Sequence, residues 1–173
     1  MAQTQHSPNV IENQDSSGDA PWENITNAKN DDVNYARCVL APGERSNWLI
    51  SLNYQMNLPA NATIIGLEGH YDASSTLAIS IQDIANRTFR EGIVGNINKS
   101  LGSASWLVGF NFLSVGGSDD LWSEEWSAND INNEQWVFAL QEQNKGALKT
   151  KGRIRYIYEI VNYILGIYMN STN

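Results

Sequence analysis

The chain has 173 residues, 42% of them hydrophobic and 10% aromatic, which suits one domain with a real core and leaves no need for a second. A formal net charge of −8 and a pI near 4.6 argue against a phosphate-backbone partner, because nucleic-acid binders concentrate Lys and Arg. The single cysteine, Cys38, excludes an intrachain disulfide and any cysteine-based metal cluster, and its neighbours Val39 and Leu40 mark it as a small core residue rather than a nucleophile.

Residues 1–20 are polar apart from Val10-Ile11 and are expected to form an extended arm, since alone they cannot offset their ordering entropy. They carry neither a basic nor an apolar leader region, so the protein is expected to fold where it is made. Residues 34–40 read as a first strand and Ala41-Pro42-Gly43-Glu44 as a turn. Residues 46–54 follow as a strand with Trp48, Ile50 and Leu52 on one face and Leu49 on the other. After Pro59, residues 63–71 form a β-branched alternating strand in which Gly66 is expected to admit a neighbouring backbone. Alternation of Leu77, Ile79 and Ile81 predicts a strand over 77–84. A weaker one covers 87–95, and another covers 106–115, closed by Gly116-Gly117.

The run 116–132 reads as a lid over one end of the β-core. It holds Trp122 and Trp126 on a short polar turn, and Ser127 three residues before Asp130 is a cap signal. Its acidic residues, Asp119, Asp120, Glu124, Glu125 and Asp130, raise a calcium reading. Ordinary turn chemistry is the better account, because the EF-hand spacing is absent. In residues 135–140, Trp136, Phe138 and Leu140 share one face while Gln135, Val137 and Ala139 take the other. The last strand, 152–163, is expected to place Ile154, Tyr156, Tyr158 and Ile160 on one side and Arg153, Arg155, Ile157 and Glu159 on the other. Five cations, Lys145, Lys149, Lys151, Arg153 and Arg155, cluster near its hairpin and read as guards of an exposed edge. Ile164, Leu165, Ile167, Tyr168 and Met169 then make a short apolar tail, either a contact for a neighbouring subunit or a prolongation of the strand.

These elements predict an all-β fold, an antiparallel, jelly-roll-like β-sandwich over residues 21–163 with an arm at 1–20 and a tail at 164–173. The apolar run at the C-terminus is too short and too broken to span a membrane. The two histidines, His6 and His70, lack a nucleophile or metal partner beside them, so neither an enzyme nor a cofactor is expected.

The segments Trp22-Glu23-Asn24, Pro59-Ala60-Asn61-Ala62-Thr63-Ile64-Ile65-Gly66, Leu121-Trp122, Trp126 and Asp130-Ile131-Asn132 resemble a β-sandwich module of phage-encoded virion proteins. The resemblance implies a structural subunit made in the host cytoplasm and built into the particle, as a head decoration or a neck or tail component. Its expected partners are other virion proteins and further copies of itself, with no nucleic acid and no membrane. A carbohydrate-binding module for attachment to a host is the second reading, because Trp and Tyr rings stack on sugar faces. Trp122 and Trp126 are its ligand candidates, drawn from a set that also holds Trp22, Trp48, Trp106 and Trp136.

Overall fold

The computed structural model describes residues 1–15, 20–90, 92–102, 106–133 and 136–166. Among the described residues ten strands follow one another as β1 (Ala2–His6), β2 (Val10–Gln14), β3 (Ala36–Leu40), β4 (Trp48–Leu52), β5 (Ala62–Ser75), β6 (Ile81–Arg90), β7 (Ile93–Val94), β8 (Asn111–Gly117), β9 (Val137–Asn144) and β10 (Thr150–Leu165). A 3-10 turn (Ile25–Lys29) precedes β3, and the short helix α1 (Ala128–Asn132) precedes β9. Every ladder between strands is antiparallel, as expected for a chain of short alternating segments joined by turns.

The strands form an antiparallel β-sandwich. In the first sheet β10 pairs with β5, and β5 with β8; the other edge of β10 carries β3 along its first part and β1 along its second. The second sheet runs β2-β4-β9-β6-β7. Between them Leu49, Phe138 and Leu140 of the second sheet meet Leu67, Tyr71, Ile154 and Ile157 of the first, all buried. The Tyr71 and Phe138 rings stack with centroids 6.0 Å apart.

Three expectations need correction. The extended arm expected over 1–20 is held within this chain: Ala2 pairs with Tyr163 and Val10 with Leu52, so residues 2–6 and 10–14 supply an edge strand to each sheet, and the backbone ladder offsets an ordering cost that their side chains could not. Leu77 and Ile79 do not open a strand. Ile79 is exposed in the left-handed region at φ 58°, and β6 begins at Ile81. In β10 a bulge between Ile154 and Tyr156 breaks the simple alternation. Ile154, Ile157, Glu159 and Val161 therefore point inward, while Tyr156, Tyr158 and Ile160 stay partly exposed.

The core also holds acids. Asp83, buried in β6, accepts from the Tyr71 hydroxyl at 2.5 Å and from the Trp106 indole at 3.1 Å. Burial pushes its pKa up to about 6, and these donors only partly counter that effect. Beside it Glu142 accepts from the Cys38 thiol, and burial, with Asp83 nearby, holds Glu142 well above the usual carboxylate range. An acid whose folded pKa is raised contributes stability that is complete below its unfolded pKa and is lost as pH rises through the folded one. For Asp83 the window runs from its ordinary value of 3.8 to about 6. The expected result is that wild type loses on the order of 3 kcal/mol relative to Asp83→Asn between pH 4 and 7, because each tenfold change in a protonation equilibrium is worth about 1.36 kcal/mol. Urea midpoints across that range measure it, and a constant difference would contradict it.

Candidate groove on the second sheet and the hollows around Arg90

Two central strands of the second sheet are apolar on both faces, which an antiparallel sheet with one wet side does not require. Leu49, Phe138 and Leu140 point into the sandwich, whereas Trp48, Ile50, Val137 and Ala139 point away from it. On the outer face they are joined by Ala85 and Phe89 of β6 and by Leu52, giving a second apolar cluster separate from the core. The Phe89 ring meets the Trp48 indole edge-on, 5.5 Å between centroids at 73°. Register explains the assembly, because Ile50 lies opposite Ala139 and Val137 opposite Phe89.

Four members of this cluster, Ile50, Leu52, Phe89 and Val137, line the floor of a groove of about 450 Å³; Ile50, Phe89 and Val137 are buried, at 3–5% exposure, so each offers the groove only a small part of its surface. Glu12, Gln14 and Asp15 form one wall, and Gly92 at the β6–β7 hairpin marks the other. Asn13, also in the wall, is already committed, since its side-chain oxygen accepts from the Trp22 backbone at 2.8 Å. The edge strand β2 is therefore what turns a flat apolar face into a trough. It comes from the segment expected as an arm, which is why the groove was not legible along the chain.

The other side of the same hairpin carries two hollows that share Arg90. One, about 510 Å³, lies among Ile93, Val94, Ile97, Trp122 and Glu124; the second, about 370 Å³, lies among Glu125, Trp126, Ser127 and Asp130. Arg90 lies 5.0 Å from the Trp126 ring centre and 3.1 Å from Asp130 Oδ1. The expected cap is present: Ser127 Oγ accepts from the Asp130 backbone at 3.1 Å, and the Asp130 carboxylate accepts from the Ser127 backbone at 2.9 Å. Those hydrogen bonds hold Asp130 below its usual range.

The lid tryptophans are held from within. Trp122 is fully buried and donates its indole N–H to the Leu67 carbonyl at 3.0 Å, while Trp126 donates to the Leu121 carbonyl at 3.1 Å. Trp122 is 0% exposed and Trp126 7%, so the two rings border the hollows without opening a face to them. Trp122 and Ser123 both have φ of 57°, a left-handed conformation held by the surrounding packing. Of the other tryptophans, Trp22 and Trp106 spend their N–H groups on Asn47 and Asp83, and Trp136 is buried.

Ile164 and Leu165 prolong β10, opposite Thr63 and Ala62, and are about half exposed; Ile167, Tyr168 and Met169 lie outside the described residues. Among the described residues no group of three or more His, Cys, Asp or Glu is placed to hold a metal ion, and no helix is long and apolar enough to cross a membrane.

No family model and no curated protein matches the sequence. The chain is similar to a family 29 carbohydrate-binding module from Piromyces equi, at 14% identity and a TM-score of 0.42 over 92% of this chain and 91% of that one. It is also similar to the CBM22-1 xylan-binding domain from Paenibacillus barcinonensis Xyn10C, at 10% identity and a TM-score of 0.46 over 95% of each. A similar CBM4 structure shares 8% identity with a TM-score of 0.45 over 94% of each chain. At these identities the ligand question rests on this chain's own side chains.

Proposed function

We propose that the protein is a non-catalytic carbohydrate-binding module that seats a glycan in the groove over the second sheet. The observation that carries this reading is the apolar floor of Ile50, Leu52, Phe89 and Val137 on the outer face of the second sheet, beside a wall of Glu12, Gln14 and Asp15. A sugar ring is amphipathic in the same sense, with C–H faces that pack on apolar side chains and hydroxyl edges that donate to carboxylates and amides. Binding of this kind needs no proton transfer, and the groove offers acceptors without a nucleophile–base pair. The reading of the chain as a phage particle subunit draws no comparable support from any surface described above.

The groove predicts its own test. Affinity electrophoresis against a panel of soluble neutral polysaccharides, including xylan and mixed-linkage β-glucan, should retard the wild-type protein in at least one gel. Phe89→Ala should weaken that retardation at least tenfold, and Glu12→Gln, with Asp15→Asn added, several-fold. Circular dichroism checks that the sandwich is intact. Retardation unchanged in Phe89→Ala would remove the groove as the binding site, and no retardation by any polymer would defeat the reading as a whole.

A further inference from the structure

The outer face of the first sheet carries a second, different arrangement. There the bulge in β10 turns Tyr156 and Tyr158 outward, next to His70 of β5 and Phe112 of β8. His70 and Tyr158 stack almost parallel, 4.6 Å apart at 6°, with Tyr156 at 5.4 Å and Phe112 at 6.3 Å from Tyr158. Phe112, on the edge strand β8, is 55% exposed, a large apolar ring left in water on this face. Hydrogen bonds hold the belt, between Ser7 Oγ and Tyr156 Oη at 2.6 Å and between His70 Nε2 and Glu68 at 3.0 Å.

Towards the β10 hairpin the belt changes character. Arg155 and Arg153 lie 5.0 and 5.3 Å from the centre of the Phe110 ring, and Arg153 also lies 5.6 Å from that of Tyr35. Arg155 is neutralised by the buried carboxylate of Asp72, with Nε at 2.7 Å from it. Arg153 donates to the carbonyls of Ser75 and Val108, at 3.2 and 3.1 Å. Among the described residues no carboxylate forms an ion pair with Arg153 or with the exposed Lys151. Five of the chain's 11 Lys and Arg residues fall within 145–155, so a protein of net charge −8 presents one locally cationic end here.

We propose that this face is a second carbohydrate site, selective for an acidic heteropolysaccharide in which neutral rings carry isolated uronate groups. Neutral rings stack on Phe112, Tyr158 and Tyr156 while a carboxylate reaches Arg153 and Lys151. From Tyr158 to Arg153 is five residues, about 16 Å at the usual strand rise, room for a short run of sugar rings. Charge complementarity selects this occupant. Single-stranded nucleic acid also stacks on aromatic rings, but it brings a phosphate with every base to a strongly acidic protein that offers few unpaired cations here. A second copy of the chain would bring the same cationic face and the same net negative charge. The site stands apart from the groove, being on the opposite sheet.

The probes are glucuronoxylan and xanthan, each beside its carboxyl-reduced form, titrated into the intact protein by calorimetry. At least one acidic polymer should bind fivefold or more tightly than its reduced form, and the preference should fade with added salt. Phe112→Ala and Tyr158→Ala should each weaken binding tenfold or more, and Arg153→Gln should erase the preference for the acidic form. Phe89→Ala, in the groove, should leave that preference intact; if it removes acidic and neutral binding together, there is one site and this proposal fails. Equal affinity for acidic and reduced polymers, or none for either pair, overturns it. Stronger binding of polyuridylate, lost in Phe112→Ala, would replace the occupant with nucleic acid. Self-association abolished by Phe112→Ala would replace it with a second copy.

Discussion

Trp122→Ala should lower the unfolding free energy by about 3–5 kcal/mol, the range for truncating a fully buried large aromatic. The ring is 0% exposed, its N–H satisfies the Leu67 carbonyl, and Lys99 lies 5.4 Å from its ring centre while pairing with Asp120 at 2.5 Å. Removal leaves a cavity, an unpaired carbonyl in the middle of β5 and a cation with no ring to rest on. Trp126→Ala, with its ring 7% exposed and its partner carbonyl in the same loop, should cost less. Urea unfolding measures both. A loss below about 1 kcal/mol for Trp122 would show that the lid is not packed on the end of the sandwich.

Gly66→Ala should cost about 3 kcal/mol or more, the top of the overpacking range. A methyl group there would lie 2.2 Å from the Ser118 carbonyl carbon and 2.4 Å from the Gly117 oxygen. Both are backbone atoms at the end of β8 where the chain turns into the lid, so no side chain can swing away. Gly109→Ala is the control, because nothing lies within 4 Å of its new methyl group, and it should shift stability by less than about 0.5 kcal/mol. If both variants melt with wild type, the close approach of lid and strand is not real.

The same two positions show how far the chain can be read without its fold. That Gly66 admits a backbone and that two tryptophans close one end follow from residue type and spacing alone, because only glycine lacks a Cβ and indole rings are too large to leave wet. The capping box at Ser127 and Asp130 is legible for the same local reason. So are the opposed faces of β9, with Phe138 and Leu140 in the core and Val137 and Ala139 outside it, since period-two alternation is a property of the strand itself.

Both proposed sites depended on information of another kind. Alternation says that Trp48, Ile50 and Leu52 share a face; it does not say that the face lies outside the sandwich or that β2 walls it. A polar segment such as 2–14 gives no sign of pairing, because its ordering is offset by ladder hydrogen bonds to strands far along the chain and not by its own side chains. The aromatic belt needed the bulge in β10, one extra residue that shifts the register against β5 and puts Ile157 inside with Tyr158 outside. The sequence by itself thus determined the β-sandwich class, its core strands and its Trp-closed end, all set by local propensity and period. Which faces are left for a ligand was decided by long-range pairing and a single bulge, and these exist only once the two sheets have formed.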